Sequence, residues 1–291
     1  LNRIFSISFE TIDPTKVDFL GNPATIKTTY LEHWFGAGPA AWMTDWSVPL
    51  AILLAIPVML LVGVIMERGL IKHFYKRPHA DQILVTFGLA IVLQEIIKFF
   101  YGAIPIQTAP PDVFIGTMDL GVWLGFEANA IAYPYWRMVY FLFSTVIIGG
   151  VFAFLQFTTF GMVVRAGMAD RETVGLLGID IDKRFTITFA IAATVAGLAG
   201  VMYTPITPPT YDIGVELLVL SFVVVVVGGM GSLPGAVLAG FLLGIVESFA
   251  SMNEVKNILP GIDQIIVYLM AIIVILVRPR GLMGRKGVME D

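Results

Sequence analysis

Long apolar runs alternate along this chain with short polar segments. Several windows of about 18 residues or more carry almost no charge, the length at which a helix crosses the hydrocarbon core of a bilayer. Their continuity suits helices rather than alternating barrel strands, because backbone groups in lipid must find partners internally. The pattern predicts spans over 47–66, 82–101, 135–157, 185–206 and 262–277, with two further apolar runs between 215 and 250. About seven spans result, so the expected fold is all-α, a polytopic integral membrane helical bundle. Pro49 stands near the entry of the first span and Pro57 inside it, where a missing N–H tends to kink a helix.

The polar segments orient these spans. Arg68, Lys72, Lys76 and Arg77 follow the first; Arg165, Arg171, Lys183 and Arg184 fall between the third and fourth; Arg278, Arg280, Arg285 and Lys286 follow the last. Twelve of the eighteen Lys and Arg residues thus lie on the side that the positive-inside bias assigns to the cytoplasm, where the C-terminus is also expected. Residues 102–134 hold no Lys or Arg but do hold Asp112, Asp119 and Glu127, and belong outside. Residues 1–46 form an extramembrane segment or a poorly ordered leader, with Trp34, Trp42 and Trp46 approaching the interface. The membrane-spanning part runs over 47–286, and 287–291 form a cytoplasmic tail.

Polar residues inside the spans are few. Thr86 and Gln94 in the second span are candidates for a polar pathway. Glu95 and Lys98, three apart on one helical face, read first as a local ion pair reaching for the interface. The segment GGMGSLPG interrupts the apolar run at 228–235, and its candidate residues are Gly228, Gly229, Gly231, Ser232, Pro234 and Gly235. Such a break is tolerated only against protein or a watery cavity, so it marks either packing or a translocation path. For Gly197, Gly200, Gly240 and Gly244 the expectation is close helix packing.

Composition agrees with this picture. Hydrophobic residues make up 57% of the 291 positions, against roughly 45–50% in soluble domains, and mean hydropathy is +0.84. There is no cysteine, which removes disulfides, thiolate metal sites and cysteine nucleophiles. His33, His73 and His79 fit no metal-ligand spacing, and no GxSxG elbow occurs. GLMGRKG at 281–287 lacks the spacing and the hydroxyl residue of a phosphate loop. The chain therefore reads as no enzyme, with no metal and no cofactor of its own, and with no nucleic-acid partner. If it pumps, another subunit must supply the energy.

One polar island remains, FGMVVRAGMADRETVGLLG at 160–178, in a chain that is only 14% charged. Asp170 can N-cap a short helix beginning at Arg171 and Glu172, and Gly178 can end it in the left-handed conformation. Val174 and Leu177 are expected to share one face of that helix. Such a helix is either a knob for a cleft in a partner or an ordinary interfacial helix lying on headgroups.

The combination VRAGMADRETVGLLGIDIDKRF at 164–185, AIAATVAGLAGVMY at 190–203 and VVVVVGGMGSLPGAVLAGFLLGIVES at 223–248 resembles the permeases of branched-chain amino acid ABC importers, specifically the LivH-like subunit. The likeness continues in VTFGLAIVLQEIIKFFYG at 85–102 and VRPRGLMGR at 277–285, and covers about residues 47–286. It implies a bacterial inner-membrane permease of the ABC importer type, working with a second permease, two cytoplasmic ATPases that bind the ATP, and an extracytoplasmic solute-binding protein. Arg165, Asp170, Arg171, Glu172, Val174, Leu177 and Gly178 would then form the ATPase-coupling segment. The family's N-terminal span and NFAHG-like segment have no counterpart here, and residues 1–46 stand in their place. A fragment, a misassigned start, or a path lacking its first part is the implied reading. Alternatives are a permease for urea or short amides in the same superfamily, or a carrier acting alone.

Overall fold

The computed structural model describes residues 8–17, 23–29, 36, 46–75, 77–103, 105, 110–119, 121, 132–229, 231–278 and 280–284. They fall into two compact units, one of residues 1–87 and 103–210, the other of residues 88–102 and 211–291.

In the first unit the central element is an antiparallel pair, α1 (Ser47–Gly69) and α6 (Ile181–Tyr203). Apolar side chains gain little by leaving lipid for one another, so such a pair depends on close fit. Small residues supply that fit. A Cβ placed on Gly63 would lie 2.9 Å from both the Ala190 Cα and the Ala193 Cβ. One placed on Gly197 would fall 2.4 Å from the Met59 Cγ, in keeping with the packing role expected there. Pro57 is accommodated within α1, which continues through it.

The opposite end of the pair is closed by α3 (Tyr135–Phe157), whose Trp136 packs with Val48 and Met202 in a buried cluster. The indole N–H donates to the Met202 carbonyl at 3.2 Å, occupying an acceptor in the last turn of α6. This contact sets the start of α3 beside the start of α1 and the end of α6, so α1 and α3 run one way and α6 the other. A 3-10 turn, Ile71–Phe74, links α1 to α2 (His79–Tyr101). The Gln82 amide donates to the carbonyls of Phe74 (3.1 Å) and Arg77 (3.0 Å), tying the entry of α2 to that connector.

Two antiparallel hairpins depart from the all-helical expectation. Strands β1 (Ser8–Val17) and β2 (Pro23–Thr29) pair in the register Ser8 to Thr29, with an irregularity between Asp13 and Val17. Strands β3 (Thr117–Asp119) and β4 (Ala132–Pro134) form a second, three-residue ladder immediately before α3. Of the tryptophans expected near an interface, Trp46 immediately precedes α1 and is half exposed, whereas Trp34 and Trp42 lie outside the described residues.

The second unit contains α7 (Ile213–Gly228), α8 (Leu233–Ala250), the short α9 (Asn253–Ile258) and α10 (Ile262–Val277). Val223 and Val227 of α7, Ala239 and Leu243 of α8, and Val267 and Ala271 of α10 form its core. A 2.8 Å ion pair between Lys256 and Asp263 fastens α9 to the entry of α10. Gly200 and Gly244 depart from the packing expectation, since a Cβ at either would meet nothing within 4 Å among the described residues. A Cβ on Gly240 would lie an ordinary 3.8 Å from the Val224 Cγ1.

Among the described residues, five helices are long and apolar enough to span a bilayer, and α7 and α10 are shorter apolar helices at the remaining predicted positions. At 16 residues each, these two cover about 24 Å, less than the roughly 30 Å hydrocarbon core.

Candidate functional site

The polar island is built as a corner, a capped helix and a second corner. Helix α3 ends at Thr158, whose extended backbone (φ −98°, ψ 153°) turns the chain and whose hydroxyl accepts from the Gly161 N–H at 3.2 Å. This caps α4 (Thr159–Ala169). At Gly161 only a hydrogen fits, because a Cβ would fall 2.0 Å from the Leu155 carbonyl oxygen.

Arg165 bends back to the same corner. Its guanidinium donates to the Leu155 carbonyl and, at 3.3 Å, to the Gln156 Oε1. Carbonyls in the last turn of α3 lack helical donors, and a cation there also meets the negative end of the helix dipole. The charge that singled out Arg165 in the sequence is used within the chain.

The next helix, α5 (Arg171–Leu176), forms where a capped helix was expected. Asp170 Oδ1 accepts from the Thr173 N–H at 3.0 Å, and Oδ2 accepts from the Thr173 hydroxyl. Gly178 follows at φ +77°, the left-handed conformation that ends helices. The expected face requires correction. Val174 is buried at 7% exposure, while Leu177 is 73% exposed and is joined by Leu176 at 84%. Residues 174 and 177 do share a helical spacing, but α5 ends at Leu176, so Leu177 already follows the turn rather than the helix. The side chains of Arg171 and Glu172 lie outside the described residues.

A second corner leads into α6. Asp180 caps it by accepting from the Lys183 N–H at 3.1 Å and pairs with the Lys183 ammonium at 2.9 Å. The hydrogen bond from the Lys183 side chain, with that from its backbone N–H, holds the Asp180 carboxyl below the usual carboxylate range. Lys72, just beyond α1, pairs with Asp182 at 3.2 Å. Arg184 lies over the Phe160 ring at 5.4 Å. The first two basic clusters of the sequence therefore meet at one end of the first unit.

Sequence inspection missed Glu67. It lies one residue beyond the predicted end of the first span but well inside α1, which extends to Gly69, and its exposure is 0%. Its Oε2 accepts from the Thr186 hydroxyl at 2.7 Å and its Oε1 from the Tyr75 hydroxyl at 3.0 Å. The nearest sequence signal was an acidic residue standing alone beside a basic cluster. Its partner in α6 is 119 positions away, beyond the reach of any local pattern.

The break at 228–235 has a structural counterpart. Helix α7 ends at Gly228, and Ser232 caps α8 by accepting from the Gly235 N–H at 3.1 Å, with Pro234 in the first turn. The freed carbonyls of α7 are met by the segment after α10: Leu282 N–H donates to Val227 at 2.8 Å, and Met283 N–H to Gly228 at 3.0 Å. Gly229, at φ +100°, lies so near this segment that a Cβ would come within 2.4 Å of the Gly284 nitrogen. Gly231 follows at φ +83° in open space.

Of the polar positions of α2, Thr86 lines a shallow cavity with Ile71, Phe74 and Gln82. The Thr86 hydroxyl donates within its own helix, to the Gln82 carbonyl at 2.9 Å, and also lies 3.0 Å from that of Ile83. Gln94 is half-buried eight positions further along. Lys98 pairs with Glu95 at 3.7 Å, as the local reading of these charges expected, and stands 4.8 Å from the centre of the Tyr211 ring.

Comparison with known proteins supplies the context for this geometry. The family model described as "Branched-chain amino acid transport system / permease component" matches residues 33–275. The high-affinity branched-chain amino acid transport system permease protein BraD of Pseudomonas aeruginosa is 27% identical, over 83% of this chain and 78% of its own length. The corresponding protein LivH of Escherichia coli is 29% identical, over 71% of this chain and 64% of its own. A probable LivH of Methanocaldococcus jannaschii is 26% identical over 79% and 74%. The chain therefore spans somewhat less than two thirds of the E. coli protein's length. No solved structure matches. The matched region takes in every helix from α1 to α9 and nearly all of α10, and on that extent the chain belongs to the family of branched-chain amino acid transport system permease components.

Proposed function

We propose that this chain is the permease subunit of an ATP-driven importer in the bacterial inner membrane. With a second permease it forms the pathway for branched-chain or related amino acids. Two cytoplasmic ATPases bind and hydrolyse the ATP, and an extracytoplasmic binding protein delivers the solute. The end of the first unit that gathers Arg68, Lys72, Lys183 and Arg184 faces the cytoplasm, as the positive-inside bias requires.

The observation that carries this reading is α5. Among the described residues of the segment, Leu176 and Leu177 are the most exposed of the large apolar side chains, ahead of Met162 and Met168, and Asp170 and Gly178 bound the short helix that positions them. A pair of apolar side chains at the end of a short, capped helix suits insertion into a cleft of an ATPase. Closure of the ATPase pair then pushes on α5, and the buried Val174 passes that displacement inward. The spans answer by rigid-body motion, opening the pathway alternately to the two sides.

The test is uptake into vesicles containing the assembled complex. Leu176→Asp with Leu177→Asp removes the apolar contact at surface positions, so the permease still inserts while ATP-dependent leucine uptake falls at least tenfold. Undiminished uptake rejects the coupling assignment. Flux of leucine through the purified chain without ATPases supports a carrier acting alone.

A further inference from the structure

We propose that Glu67 is a positioning residue that makes the α1–α6 pair follow the coupling segment as one body. This inference rests on the importer reading. Glu67 is fully buried near the end of α1, and its two carboxylate oxygens reach different elements. Oε2 accepts from Thr186 in the second turn of α6, and Oε1 from Tyr75 in the connector that leaves α1. The Tyr75 ring meets the Phe185 ring edge-on at 6.0 Å, so connector and helix are also in contact beside the carboxylate. Lys72 and Asp182 close the outer side of the same joint at 3.2 Å.

The coupling segment abuts this joint. A Cβ on Gly167 of α4 would come 3.3 Å from the Ile181 Cγ2 and 3.7 Å from the Phe185 Cζ, so α4 rests on the first turns of α6. Displacement of α4 and α5 is thus delivered to residues 181–185, within about one and a half helical turns of the Thr186 hydroxyl. Without the carboxylate, the α1–α6 contact at this end would depend on close packing such as that of Gly63 against Ala190 and Ala193. With it, two hydrogen bonds to an acidic acceptor hold register at the end where force enters.

The Thr186 hydroxyl also lies 3.0 Å from the Asp182 carbonyl, which provides a conservative substitution. In Glu67→Gln the amide can donate to the Thr186 oxygen while the threonine donates to Asp182, and the amide oxygen still accepts from Tyr75. The joint is retained without the charge.

The experiment has two arms. In vesicles holding the whole complex, leucine taken up per ATP hydrolysed is measured for the wild type, Glu67→Ala and Glu67→Gln. The expected result is a fall of about tenfold in Glu67→Ala, with the ATPases still bound, and recovery to at least half in Glu67→Gln. In the second arm, spin labels on Arg68→Cys and Ile187→Cys report the α1–α6 distance in this chain, which has no native cysteine to interfere. The distribution is expected to broaden in Glu67→Ala and to stay narrow in Glu67→Gln. If Glu67→Ala does not assemble, Thr186→Val and Tyr75→Phe each remove one arm of the joint and are read in the same way. An unchanged ratio in the alanine variant, or a glutamine variant as impaired as alanine, overturns the proposal. If the wild type shows no ATP-linked uptake, the importer reading fails and takes the coupling role of Glu67 with it; the label distances then decide only whether the carboxylate holds α1 to α6.

Discussion

The Leu282 N–H donates to the Val227 carbonyl at 2.8 Å, joining the segment after α10 to the last turn of α7. Val227 is 1% exposed, so its carbonyl sits where an unmet acceptor would be costly. The contact also fixes direction: α7 and α10 end side by side, and α8 runs between those ends and the opposite side. Two glycines permit it, since a Cβ on Gly281 would fall 2.5 Å from the Gly229 nitrogen and one on Gly229 would strike Gly284.

Gly229→Ala and Gly281→Ala are therefore expected to destabilise the second unit by about 2–4 kcal/mol each, from a strained positive φ together with backbone overlap. Gly231→Ala shares the positive φ but meets open space, and is expected to cost only about 1 kcal/mol. Thermal unfolding of the detergent-solubilised protein ranks the three. Equal losses at Gly229 and Gly231 would show that backbone conformation alone, and not the approach of the 281–284 segment, is responsible.

At the α3–α4 corner, Gly161→Ala places a methyl carbon against the Leu155 carbonyl and is expected to cost at least about 3 kcal/mol. Arg165→Ala leaves that carbonyl without its guanidinium donor and is expected to cost about 1–2 kcal/mol. Because both act on one acceptor, the double variant should lose less than the sum of the two. Additive losses in a double-mutant cycle by thermal melting would contradict a shared site.

Asp170→Ala removes the cap of α5, a change worth about 1 kcal/mol. Helix α5 is only six residues long and opens locally, so amide exchange over 171–176 should quicken by about fivefold while the α1–α6 pair is unaffected. Asp170→Asn, which keeps a capping oxygen, should restore most of the protection. Exchange that is the same in the wild type and both variants would exclude a capping role.

The stability contributed by Asp180 should depend on pH in one direction. Lys183 lowers its carboxyl pKa in the folded chain, so the stabilisation is fully present above the unfolded value of about 4 and is lost as pH falls through the lower folded value. Asp180→Asn keeps a capping oxygen but not the charge. The wild type should melt above this variant at neutral pH, with the gap closing in acid; a gap that does not narrow as pH falls would contradict the assignment.

Much of this architecture was legible because bilayer thickness imposes a length that apolar runs reveal without tertiary information. The run at 135–157 coincides with α3 and that at 262–277 with α10. Capping is equally local, so Asp170 and Gly178 could be assigned from neighbours within a few positions. Burial around the α5 axis was not legible, because Val174 and Leu177 are equally apolar and only packing decides which one turns inward. The β1–β2 hairpin also escaped notice, in a segment where Asp13, Pro14, Gly21, Asn22 and Pro23 interrupt the chain and no apolar alternation marks strands.

The sequence by itself determined that this chain is a multi-pass helical membrane protein, where its spans lie, and which family it resembles. These follow from run length, charge asymmetry and ordered motifs, all carried by residues near one another. Only the tertiary structure decided that the Arg165 charge is spent on Leu155, that the glycines at 228–229 receive the segment after α10, and that Glu67 is held by Thr186. In each case a donor meets an acceptor supplied by another element. Such pairings come from the way helices are packed, which the order of residues along one helix does not express.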